Sequence, residues 1–158
     1  MTMSATPKFL SGFCDTSLNA SSANDALGKI ATSGYELDLM QPSWLNAVLE
    51  RENEFPTGLP TPIPVAIPHT DSIHVKASGI GFFRLLHPVI FGEMGSSAST
   101  LEVSIIIPLL ITDPENQVDL LMQVVTALQD IAFMNQLANI DNPKDVEILF
   151  NSRFQPSD

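Results

Sequence analysis

The segment VAIPHTDSIHV, residues 65–75, ends an apolar run at Pro68 and then sets His69, Asp71 and His74 close together. Imidazoles beside a carboxylate are costly to bury unpaired, so this cluster reads as a site or as a group of mutually satisfied structural residues. Two chemistries suit it. His69, Asp71 and His74 are zinc-type donors, although His87 and Cys14 are the only other histidine and cysteine and no compact His-Glu-x-x-His motif occurs. Alternatively, a neutral histidine oriented through one ring nitrogen is a nucleophile for an anionic electrophile, provided cations or hydrogen-bond donors stand nearby. Pro68 and the proline-rich run before it stiffen the backbone around His69. Asp71 or a neighbouring carbonyl is the expected partner of the second ring nitrogen. Arg51 and Thr57 are the candidate anion receptors. Each residue also has a structural reading: Arg51 answers the dipole of a helix C-terminus, His74 is a satisfied interior histidine, and His87 before Pro88 makes a turn.

Several elements must position these residues. After a polar, mobile beginning, SANDALGKIATSGY predicts a first helix capped by Ser22 or Asn24, with Ala26, Leu27 and Ile30 at helical spacing and Gly34 as its stop. QPSWLNAVLERENEF predicts a second helix with Pro42 in its first turn, Leu45, Val48 and Leu49 on one face and Arg51 near its end. The prolines of FPTGLPTPIPVAIPH exclude a helix and leave a shaped loop with a short strand. ASGIGFFRLLHPVIF reads as strand, turn at His87-Pro88, and strand, while LEVSIIIPLLI has the continuous apolar character of a strand buried on both faces. Val118, Leu121, Met122, Val125, Leu128 and Ala132 form one stripe of a long amphipathic helix, and NPKDVEILFN begins a last one. The order predicts a single α/β domain over 1–158 with mobile ends, its mixed sheet of about five strands covered by helices on both faces.

Composition narrows the partners. The 158 residues are 44% hydrophobic, enough for one core, and 18 acidic against 7 basic side chains give a net charge of −11. Such a surface repels nucleic acid and anionic membranes and suits a basic protein partner. A single cysteine excludes an internal disulfide and fits a reducing compartment. The start MTMSATPKFLSGF lacks a signal-peptide core, and SIIIPLLI is too short to span a membrane, so a cytoplasmic location is expected. Polar ends at MTMSATP and FQPSD favour a free-standing protein.

RENEFPTGL followed by VAIPHTDSIHV resembles the enzyme IIA domains of the phosphoenolpyruvate-dependent sugar phosphotransferase system, in the fructose/mannitol superfamily and its galactitol-like branch. The family pattern is met by Arg51-Glu52, Thr57-Gly58 and Ile67-Pro68-His69, HPVIF resembles a family strand entry, and the resemblance runs over roughly residues 40–150. It implies the α/β fold of that family and a phosphotransferase. His69 would take a phosphoryl group from the phosphohistidine carrier protein HPr and pass it to a cysteine of a cognate IIB component, and through it serve the membrane IIC component. Arg51, Thr57 and backbone amides after His69 would stabilise the transferred group, with no metal or organic cofactor. Other family members place a second histidine at the start of the long C-terminal helix, where this chain has Gln117. Either Gln117 donates a hydrogen bond there without charge, or His74 takes over the role. A nitrogen-regulatory relative, a metal-binding domain and a purely structural domain are the alternatives. IIA meets only proteins, so its sequence does not select the sugar.

Overall fold

The computed structural model describes residues 6–154. The chain begins with β1 (Phe9–Leu18), then α1 (Ala23–Glu36), α2 (Trp44–Glu54), the short strands β2 (Gly58–Leu59) and β3 (Val65–Ala66), and β4 (Gly79–Gly92). It continues through β5 (Thr100–Ile106), β6 (Leu109–Leu110), α3 (Gln117–Leu128), α4 (Ile131–Asn139) and α5 (Pro143–Phe154). The sheet runs in the order β1-β4-β5-β3-β2, with β6 also pairing to β4. β1 lies parallel to β4 and β3 parallel to β5, whereas β4 and β5 pair antiparallel. The mixed α/β architecture expected from the order of elements is therefore present.

Two apolar layers sandwich the sheet. Ile80 and Phe82 of β4 join Leu120, Val124, Phe133 and Phe150 of α3, α4 and α5, while Phe83 and Leu85 join Leu27 and Ile30 of α1 and Trp44 and Val48 of α2. Alternate residues of one strand thus feed opposite cores, which is why its sequence is apolar almost throughout.

Several local expectations are corrected. The beginning contains β1, whose alternation is broken by Gly12 at φ 84° and by a register shift between Phe9 and Cys14. β4 continues through His87-Pro88 instead of turning there; its register against β5 slips between Arg84 and Val89. Pairing with β1 ends at Leu85, so Pro88 removes no ladder hydrogen bond on that side. The apolar run 101–111 is divided at Pro108 into β5 and β6. Ser22 is the α1 cap, but the helix passes Gly34, whose missing side chain leaves room for Met40: a Cβ there would stand 2.2 Å from Met40 Cε. α2 starts just past Pro42, at Trp44.

The long C-terminal helix is two helices. Asp130 ends the first by capping the second, its Oδ1 accepting from the amides of Ala132 and Phe133 at 3.0 and 3.3 Å. The buried face of α3 is Leu120, Val124, Ala127 and Leu128, so the predicted stripe was rotated. Val118 and Met122, placed in that stripe, are 68% and 62% exposed.

Candidate functional site

The proline-rich loop places His69 by threading it between two strands. Ile107 donates its amide to Ala66 O at 2.8 Å, and Leu109 donates to Pro68 O at 3.0 Å, so the backbone on either side of Ile67 is pinned to the β5–β6 segment. His69 is only 5% exposed. Its Nδ1 lies 2.8 Å from Ile67 O. A carbonyl oxygen only accepts, so Nδ1 carries the hydrogen and Nε2 holds the free lone pair. The expected carbonyl partner is therefore Ile67, not Asp71. Burial holds the imidazole below the usual histidine pKa, and the Arg51 charge lowers it further, against the opposing pull of the Ile67 bond. The ring is neutral and nucleophilic near pH 7.

A cleft of about 380 Å³ opens at His69, lined also by Arg51, Phe55, Thr57, Ser97 and Leu121. Arg51 enters from the last turn of α2. Its guanidinium sits 5.3 Å over the Phe55 ring, and Nη1 makes a loose 3.7 Å contact with exposed Asp71. Its Nε is buried with no hydrogen-bond partner among the described residues. Arg51 thus brings a positive charge to the cleft that holds a neutral imidazole.

Thr57 is buried at the same cleft, but its hydroxyl is committed. The Glu52 carboxylate accepts from the Thr57 amide at 2.7 Å and from its Oγ1 at 2.9 and 3.1 Å. Burial raises the Glu52 pKa, and the two Thr57 donors pull it partly back. Thr57 thus offers the cleft an oxygen whose proton is already given away.

His74 and Gln117 lie elsewhere to different degrees. His74 ends a 3₁₀ turn, its Nδ1 is 2.7 Å from Ser43 Oγ at the N-terminus of α2, and it does not line the cleft. Arg51 belongs to the opposite end of that helix. Gln117 is the first residue of α3, one turn before the cleft-lining Leu121, and does not itself line the cleft. Neither of the two substitutes for a second histidine lines the cleft. Among the described residues no group of three or more His, Cys, Asp or Glu gathers in a way that would hold a metal ion. Burial pushes the Cys14 thiol up to about 12, so it is no thiolate.

The segment Met94–Ser97, not singled out by its residue types, forms one wall of the cleft. Its only sequence signal is a polar loop. It is placed by Gly58, whose carbonyl accepts from the Met94 amide at 2.8 Å and whose missing side chain lets Gly92 O approach: a Cβ would meet it at 2.5 Å.

The sequence model for "Phosphoenolpyruvate-dependent sugar phosphotransferase system, EIIA 2" matches residues 11–152. The chain belongs to this enzyme IIA family. It is 34% identical over 92 residues to a galactitol-specific EIIA component of Escherichia coli K12, a match covering 58% of this chain and 61% of that relative's length. Its fold is similar to that of mannitol enzyme IIA in the Escherichia coli complex with phosphorylated enzyme IIB: TM-score 0.72 and 20% identity over 91% of this chain and 99% of the other. It is also similar to the nitrogen regulatory protein IIA-Ntr of Neisseria meningitidis, with TM-score 0.67 and 17% identity over 90% and 95% of the two chains. Among the described residues of this enzyme IIA domain, no helix is long and apolar enough to cross a membrane.

Proposed function

We propose that this enzyme IIA domain is a cytoplasmic phosphocarrier for uptake of galactitol or a related polyol, with His69 as the phosphorylated residue. The observation that carries the reading is the Nδ1 hydrogen bond to Ile67 O, which leaves Nε2 unprotonated in a cleft shared with Arg51. In the first step Nε2 attacks the phosphorus of phosphohistidine on HPr. The new N–P bond forms as the bond to the HPr imidazole breaks. In the second step a cysteine thiolate of the IIB component attacks, an S–P bond forms, and His69 leaves as a neutral imidazole. Such transfers need alignment and charge stabilisation more than covalent help.

Arg51 supplies the stabilising charge, its guanidinium group lining the cleft in which the phosphoryl oxygens would lie. Thr57 lines the transfer position without donating its hydroxyl, and Gln117 offers an amide at the rim. His74 has no part in this scheme because it is bound to Ser43 away from the cleft. The galactitol-type relative favours a polyol, and the IIB complex of the mannitol relative supports a IIB partner. Val118, Leu121 and Met122 form an apolar strip beside the cleft on which both partners can dock in turn.

The test is transfer with phosphoenolpyruvate, enzyme I, HPr and the cognate galactitol-type IIB protein. Phosphate should reach the IIB cysteine through the wild-type chain and fail to do so through His69→Ala. Equal transfer through His69→Ala would overturn the assignment. Uptake of phosphate with no passage to any IIB cysteine would favour the regulatory alternative.

A further inference from the structure

We propose that Glu52 is a positioning residue for phosphoryl transfer, acting on His69 through Thr57 and Ile67. The Glu52 carboxylate accepts both the amide and the hydroxyl of Thr57. Thr57 O in turn accepts the Ile67 amide at 3.4 Å, and Ile67 O accepts the His69 Nδ1 hydrogen. Glu52 therefore anchors the backbone unit that orients the imidazole and selects its tautomer, much as an outer carboxylate orients a ligating or catalytic histidine through an intervening group.

The placement of Glu52 separates its role from that of Arg51. It follows Arg51 directly in the last turns of α2, yet it does not line the His69 cleft; it borders a separate cleft with Ala23, Asn24, Ile90 and Gly92. One residue of this pair thus reaches the reacting position and the next ties the same helix end to the loop that carries His69. Displacing that tie shifts the cation and the nucleophile relative to each other. Small misplacements of reacting groups cost rate steeply. A half-buried carboxylate is also a costlier way to fill space than a glutamine or leucine, which would do so without charge.

The inference rests on the phosphocarrier reading, so the experiment has one readout that depends on it and one that does not. Glu52→Gln keeps the shape but turns one acceptor oxygen into a donor facing Thr57, and Glu52→Ala removes both acceptors. We expect phosphorylation by phospho-HPr to slow roughly tenfold in Glu52→Gln and about a hundredfold in Glu52→Ala. In the same samples, ¹⁵N spectra of His69 should show Nε2–H tautomer appearing where the wild type holds only Nδ1–H. Glu52→Gln with unchanged tautomer and unchanged rate overturns the inference, and this variant decides even if Glu52→Ala fails to fold. A wild-type chain that takes no phosphate would instead defeat the phosphocarrier reading, while the tautomer readout still judges Glu52.

Discussion

His69 combines two properties that ordinarily conflict: it is almost fully buried, and in the proposed function it acts as a nucleophile. Both follow from one contact, because the Ile67 carbonyl satisfies the Nδ1 hydrogen and leaves the lone pair on Nε2. Burial and the nearby Arg51 charge lower its pKa, with a consequence of definite sign. The unfolded chain takes up this proton at about 6.5, the folded chain only at lower pH. The stability contributed by neutral His69 is therefore complete above about 6.5 and lost as pH falls toward the folded value. The same shift bears on the proposed function: the acid limb of the phosphorylation rate should lie below 6.5, measured with phospho-HPr held subsaturating. A limb above 6.5 would mean that His69 is stabilised as a cation and would contradict the assigned environment.

At the scale of elements, the site is the meeting of the end of α2, the Thr57–His69 loop and the segment after β4. Gly58 is the hinge of that meeting. Gly58→Ala should destabilise the fold by about 1–3 kcal/mol and slow phosphorylation, because the added Cβ meets the Gly92 backbone oxygen rather than a yielding side chain. Gly28→Ala in α1 is the control: nothing lies within 4 Å of its Cβ position, and it should leave transfer unchanged while stabilising the helix by about 0.5–1 kcal/mol. Thermal unfolding of both variants checks the pair. That Arg51, Thr57 and His69 share a cleft was legible through the family motif they resemble, since their residue types alone suited more than one chemistry. Glu52 as the anchor of Thr57, and Met94–Ser97 as a cleft wall, were not, since both depend on contacts made only when distant segments fold together. β1 escaped notice because Gly12 and its bulge spoil the two-residue period. The α3 stripe misled because residues beside the cleft are apolar without being buried, and hydrophobic spacing alone does not distinguish a core face from a docking face.

Across the whole molecule, net charge and exposed apolar area divide the labour of recognition. In the proposed function the charge of −11 suits long-range attraction of a basic carrier, and Val118, Leu121 and Met122 are the proposed short-range contact. Phosphorylation by HPr at subsaturating concentration should fall roughly tenfold between low salt and about 1 M. Met122→Asp should weaken the encounter by about tenfold without altering thermal stability, because the side chain is largely exposed. Indifference to both salt and Met122→Asp in stopped-flow measurements would place the docking face elsewhere. The most direct test of the central claim is the site of the phosphoryl group itself, read from ³¹P–¹⁵N coupling in the phosphorylated, ¹⁵N-histidine-labelled protein. The account predicts a single phosphoryl group on Nε2 of His69, with Nδ1 still carrying its hydrogen; phosphate on Nδ1, or on His74 or His87, would contradict it.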